Sequence, residues 1–460
     1  MNLKTLSYSL LPVVAVLLTA ASASAQKPNL DLGYIQTNLV ANTDDYHPQI
    51  VDPNMLDAWG IALRPPGAGG HIWVANAATG TSSEFIGDVP GQPLHQDGLK
   101  VVKLDQPRWT DHGYAFVTGQ VYNSASDLPG QPVEFPVAGA AENLKEAQAQ
   151  EIPGGFKGSA KFIFVTEDGC INAWSSNTAT AMKAAPVMID YSKTSKWMPY
   201  HVNCVFTGVA MTNFAGDSEA FKKAGGNHIF VADIRNNAIQ VFDNQWHDVT
   251  GSYHFQTPKT IGTLHPFNIV WLNGHLFVAY AEFDPDSDEG QEQFAGAGHG
   301  HIVEYTEDGT LVKDFYAGHG VLNLPWGLAI APDDFGPLAN RLLAANFGDG
   351  TISAFDLETG DFVGYVRGSD TKIISIDGLW GIAFGNGHSL GNADSLYFSA
   401  GPNNEQDGLF GRIDVNYPKD LRKPLPVAAP APGVGKSAAS VKEESSPTAS
   451  TAEASKSAVH

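Results

Sequence analysis

Residues His228–Asp243 read HIFVADIRNNAIQVFD. β-Branched and aromatic residues flank Asn236-Asn237, a pair able to take the positive φ that a tight hairpin turn needs. No apolar period of 3.6 residues runs through the stretch. It is therefore expected to be two antiparallel strands joined by a short turn.

The same unit recurs outward in both directions. Each copy opens with an aromatic residue or Thr, usually followed by Gly, and enters an apolar run. A second run of the form apolar-aromatic-Val-Ala-Asn/Asp follows, then a turn and a third run. Trp59-Gly60-Ile61-Ala62 leads to HIWVANAATGTSSEF (His71 to Phe85), and Thr118-Gly119 to KFIFVTEDGCINAW (Lys161 to Trp174). Thr207-Gly208 opens the quoted copy, and His265-Pro266-Phe267-Asn268 leads to HLFVAYAEFD and GHGHIVEYTEDG. Trp326-Gly327 leads to RLLAANFGDGTISAFD, and Trp380-Gly381 to SLYFSAGPNNEQDGLFGRI. Most openings are about 55–60 residues apart, as expected of one structural repeat per unit. Six small sheets of short strands suit radial packing, which predicts an all-β, six-bladed β-propeller. YIQTNLV (Tyr34 to Val40) is expected to close the last blade. A parallel β/α barrel would need about eight amphipathic helices, which this pattern lacks.

The two ends read differently from the body. Lys4, the apolar run Leu10–Leu18 and Ala23-Ser24-Ala25 make residues 1–25 an expected export signal, cleaved near Ala25. That run is too short to span a bilayer. Residues 418–460 are rich in Ala, Ser, Pro, Lys and Glu and bury too little apolar surface to fold, so a disordered tail is expected. The propeller should occupy 26–417. Localisation is expected to be secreted or periplasmic, with the chain a monomer.

Formal net charge is −22. That acidity disfavours nucleic acid and anionic membrane as partners, and suits cationic or neutral ones and bound metal ions. Two cysteines, Cys170 and Cys204, fall in neighbouring repeats. An exported protein permits a bridge between them; two buried free thiols are the alternative.

The third unit resembles the NHL repeat, whose pattern is apolar-Tyr-Val-Ala-Asp followed by Asn-x-x-Ile-x-x-Phe. The run TNLVANTDDYHPQIVDPNMLDAWGIAL looks like the opening of a secreted propeller family with no assigned activity, many of whose bacterial members carry a PEP-CTERM tail. VNCVFTGVAM, GAGHGHIVEYTEDG, NLPWGLAIAP and LWGIAFGNG match in the same order. The sorting tail is missing here. The resemblance implies an NHL-like propeller and leaves the activity open.

Candidate sites come from the repeat. Polar residues stand at equivalent positions after the second strands: Asn76, Glu167/Asp168, Asp233, Glu282, Asn346 and Asn403/Glu405. Converging oxygens of this kind suit Ca²⁺, and Glu282, Asn346, Asp233 and Asn76 are the best candidate ligands. Such residues also cap turns in any propeller. A second set, Asp57, His201/Asn203, His265, Asn323 and Asp377, precedes the first strands. His265 is the candidate general base, with a structural histidine as the alternative. The acidic loop Asp284–Gly290 is an imperfect calcium loop. His299, His301 and His319 form a loose histidine group. The Trp-Gly pairs are expected to be core, letting strands approach a narrow axis.

No H-E-x-x-H, C-x-x-C-H or Gly-rich phosphate loop is present. Two functions remain. One is a binding or scaffold protein that holds a protein, glycan or small-molecule ligand on a propeller face. The other is a calcium-dependent hydrolase or lyase, lactonase-like or esterase-like, at the channel mouth.

Overall fold

A computed structural model describes residues 32–418, apart from 109–112, 128–131, 139–149, 153–154, 176–181, 183, 193–202, 214–222, 284–294 and 316–319. All of these lie in the first of two units, Met1–Leu425 and Pro426–His460. The expected leader and, past Pro418, the expected tail fall outside the described residues. So do His201, the acidic loop and His319.

Six sheets form the blades of a propeller, as the repeat predicts. The innermost strands are Ala58–Ala62, Val117–Tyr122, Phe206–Met211, His265–Leu272, Pro325–Ile330 and Leu379–Phe384, here blades 1 to 6. Each pairs antiparallel with the run that follows it. Blade 6 is completed by the N-terminal strand Gly33–Ala41, antiparallel to Leu409–Asn416. The two ends of the domain thus share one sheet, which leaves the ring no open seam. Among the described residues blade 3 has three strands. Its outer edge is covered instead by residues 247–250, with Val249 N–H donating to Val241 O at 2.9 Å. A small separate sheet, Pro136–Ala138, Gln150–Ile152 and Gly155–Ser159, is inserted in blade 2.

The turns behave as their residues require. Asn237 takes φ 49° in the hairpin of blade 3, and Gly169 takes φ 74° in the corresponding turn of blade 2.

Apolar faces pack blade against blade. Between blades 1 and 2, Trp73 stacks on Phe162 at 3.9 Å and meets Trp174 at 4.9 Å. At the axis, the glycine after each opening residue has a steric purpose. A Cβ on Gly60 would lie 2.7 Å from Thr118 O. On Gly327 it would lie 2.5 Å from Trp380 O, and on Gly381 2.5 Å from Trp59 O. At these three positions backbone touches backbone, which leaves no room for a Cβ. Asn268 takes this place in blade 4, and its amide donates to Trp326 O at 2.7 Å.

Candidate functional site

The inner strands all run in one direction along the axis, so the channel has two unlike ends. Where the strands begin, aromatic side chains close it. Trp59 and Trp380 stack at 3.6 Å, and Phe347 stacks on the other side of Trp380 at 3.8 Å. Trp326 meets both tryptophans edge-on at about 6 Å. Trp326 Nε1 donates to Thr207 O at 2.8 Å, tying blade 5 to blade 3. The Trp-Gly tryptophans are core, as expected.

Asp57 lies beneath this plug, 1% exposed, and accepts from Trp59 Nε1 at 2.7 Å through Oδ2. Its Oδ1 has no hydrogen-bond partner. Burial, and then the neighbouring Glu405 carboxylate, hold its carboxyl well above the usual range. Its backbone sits at φ 49°.

The four candidate calcium ligands stand at equivalent places but turn into their own blades. Asn76 Nδ2 donates to Thr81 Oγ1 at 3.1 Å and Ser83 Oγ at 3.0 Å. Asn346 Nδ2 repeats the pattern with Thr351 Oγ1 and Ser353 Oγ, both at 3.0 Å. Asp233 accepts from Val205 N at 3.2 Å, and from Asn236 Nδ2 and Gln240 Nε2 at 2.7 Å each. Glu282 is separate from the other three and lies 2.9 Å from His299 Nδ1. Among the described residues no group of three or more His, Cys, Asp or Glu side chains is placed to hold a metal ion.

His265 Nδ1 donates to Ile234 O at 2.5 Å, which fixes its ring and leaves Nε2 as the basic nitrogen. Asn323 binds Gly296 N at 2.7 Å and Asp349 at 3.2 Å, and Asp377 accepts from Asn403 N at 2.9 Å. His301 is buried and paired with Asp314, apart from the Glu282–His299 pair. Cys170 and Cys204 are separate buried thiols. Cys170 Sγ contacts Asp190 at 3.5 Å, and Cys204 Sγ accepts from Gln240 Nε2 at 3.4 Å.

Where the inner strands end, the channel widens into a cavity of about 420 Å³. Ile61, Leu63, Val121, Val270, Ile382 and Phe384 are among its walls. Its polar side chains are largely committed to the walls. Gln120 donates to Gly60 O at 2.9 Å and accepts from Ser82 Oγ at 2.9 Å. No Asp, Glu, Lys, Arg or His is among the described lining residues. The sequence reading missed this cavity, because alternation in each strand marks a core face without showing how six strand ends frame a space.

No family model matches the chain. Uncharacterized protein R648 of Acanthamoeba polyphaga mimivirus is 26% identical over 382 residues, 82% of this chain and 78% of that protein. Uncharacterized protein L690 of the same virus is 32% identical over 194 residues, 41% of this chain and 49% of that protein. The aligned region thus spans about half the length of L690. Among solved structures, a virginiamycin B lyase from Staphylococcus aureus is similar at TM-score 0.42 and 10% identity, over 83% of this chain and 99% of that one. A glucose dehydrogenase is similar at TM-score 0.39 and 9% identity, over 82% and 98%.

Proposed function

We propose that this chain is an exported binding propeller that takes its ligand at the open end of the central channel. One observation carries the reading: the two ends of the channel differ. At one end aromatic rings fill the axis, and Asn76, Asp233 and Asn346 hydrogen-bond within their own blades. At the other, an apolar cavity of about 420 Å³ is framed by all six inner strands. That volume lies in the range of small-molecule sites, which are mostly apolar with few polar groups.

A second reading, a hydrolase or lyase, is favoured by one cluster. His265, Glu282 and His299 share the rim of blade 4, and His265 Nε2 is the nitrogen suited to proton transfer. Calcium on this reading requires the oxygens of Asp233 and Asn346 to give up the N–H donors that they now accept from.

A panel of esters and lactones, assayed with and without added calcium, separates the two. Binding without turnover is expected. Metal-dependent turnover abolished by His265→Gln or Glu282→Gln would favour the enzyme.

A further inference from the structure

Ile61, Val121, Val270, Ile330 and Phe384 come from five of the six inner strands, and all line the open cavity. The polar side chains among them are bonded into the protein. Gln120 is held at both ends, by Gly60 O and by Ser82 Oγ. Asn268 Nδ2 donates to Trp326 O at 2.7 Å, and its Oδ1 accepts from Ile269 N at 2.8 Å. Asn213 Oδ1 accepts from Ser124 Oγ at 2.6 Å, and Trp326 Nε1 donates to Thr207 O at 2.8 Å. A guest in this space is met by hydrocarbon and by polar groups that already have partners.

The mouth is built as well. Pro65 lines it, on the loop that follows the inner strand of blade 1. Asn386, 7% exposed, holds that loop from blade 6, its Nδ2 donating to Ala68 O at 2.8 Å. Its Oδ1 accepts from His388 N at 3.0 Å and Leu390 N at 3.1 Å, which fixes the loop that Asn386 itself stands on. The opening is therefore shaped before any ligand arrives, as small-molecule sites usually are.

These walls set a preference between charged and uncharged guests. An ion that enters gives up its water, a large cost where no opposite charge replaces it. No Asp, Glu, Lys, Arg or His stands among the described lining residues to do so. An uncharged apolar body gains dispersion with the walls and the release of water. The net charge of −22 adds a long-range repulsion of anions.

We propose that the open channel takes an uncharged, largely apolar small molecule and discriminates against ionised congeners of the same shape. The proposal rests on the binding reading and names the ligand class of that site.

Isothermal titration of the full chain with naphthylmethanol, naphthoate and naphthylmethylammonium tests it, since the three share one ring system and differ in charge. The alcohol should bind once per chain, about tenfold more tightly than either ion. Naphthoate should be the weakest at low salt. High salt should bring it to the level of the ammonium and leave the alcohol ahead of both, because screening removes long-range repulsion and not the loss of hydration. Val121→Asp puts a carboxylate on the blade 2 wall and should reverse the order, with the ammonium ahead of the alcohol. Loss of fold would weaken all three instead. Val270→Asp makes the same change on blade 4, so the test does not depend on one variant folding.

Either ion binding as tightly as the alcohol to the wild-type chain would overturn the proposal and leave the binding reading in place. An order unchanged in both folded aspartate variants would overturn both, since the probes would then sit outside the channel. Absence of saturable binding by all three would also overturn the proposal. Metal-dependent ester turnover together with the expected probe order would sink only the binding reading of the whole protein.

Discussion

Trp59 and Trp380 come from the first and last blades and stack face to face, 3.6 Å between centroids and 22° between planes. The chain's two most distant repeats thus meet on the axis, and the channel is closed at that end. Trp380→Ala should cost about 3–5 kcal/mol, the usual penalty for emptying a buried aromatic site. Thermal melting followed by circular dichroism checks this, and native-like stability would mean that the plug is not core.

The glycine contacts on the axis should be intolerant of any side chain. A methyl on Gly381 meets Trp59 O at 2.5 Å, a backbone atom that cannot step aside without moving the strand. Gly381→Ala and Gly327→Ala should each lower stability by about 1–3 kcal/mol. Gly364, where an added Cβ meets nothing within 4 Å, is the control and should change little.

Glu84 gives the clearest pH dependence. It is fully buried in blade 1, and neither carboxylate oxygen has a hydrogen-bond partner. His71 Nδ1 approaches Oε2 only to 3.7 Å and is bonded through Nε2 to Asp97 at 3.0 Å. Burial, and then Asp97, raise the Glu84 carboxyl to about 9 from an ordinary value of 4.5. Below the ordinary value both folded and unfolded chains hold the proton, so the group costs nothing. Between there and about 9 the unfolded chain releases it and the folded chain does not, so stability falls as pH rises. Glu84→Gln should therefore melt like wild type near pH 4 and increasingly above it toward pH 9. An equal melting shift at all pH values would contradict the assignment.

The thiols should be present but hidden. Burial pushes Cys204 up to about 12, with the Asp233 carboxylate adding to the effect, and raises Cys170 further. A thiol reagent should find almost none in the folded protein and both after denaturation without reductant. No thiol in the denatured chain would mean that the two are joined in a disulfide.

Much of the fold was legible because its physics is local. Alternating apolar runs, Asn-Asn and Asp-Gly turns and Trp-Gly openings each point to a strand or turn, and their recurrence gives six blades. Tyr34–Val40 was legible as the closing strand because it is the one unpaired apolar run before the first unit. The candidate site was less legible. Equivalent positions placed Asn76 and Asn346 at one height but did not say which way they turn. A signal was present: Thr81 and Ser83, like Thr351 and Ser353, alternate on one face of the following strand, a ready partner across the hairpin. Asn268 breaks the glycine pattern, and its role in capping the wall of blade 5 is visible only in three dimensions.

The direct test of the central claim is the melting temperature of the full chain with a calcium chelator and with added calcium, alongside its metal content. The binding account predicts no stoichiometric metal, no difference between the two conditions, and a Glu282→Gln variant that responds like wild type. One ion per chain, with a large loss of melting temperature on chelation that Glu282→Gln reproduces, would contradict it and place the chemistry at the aromatic end.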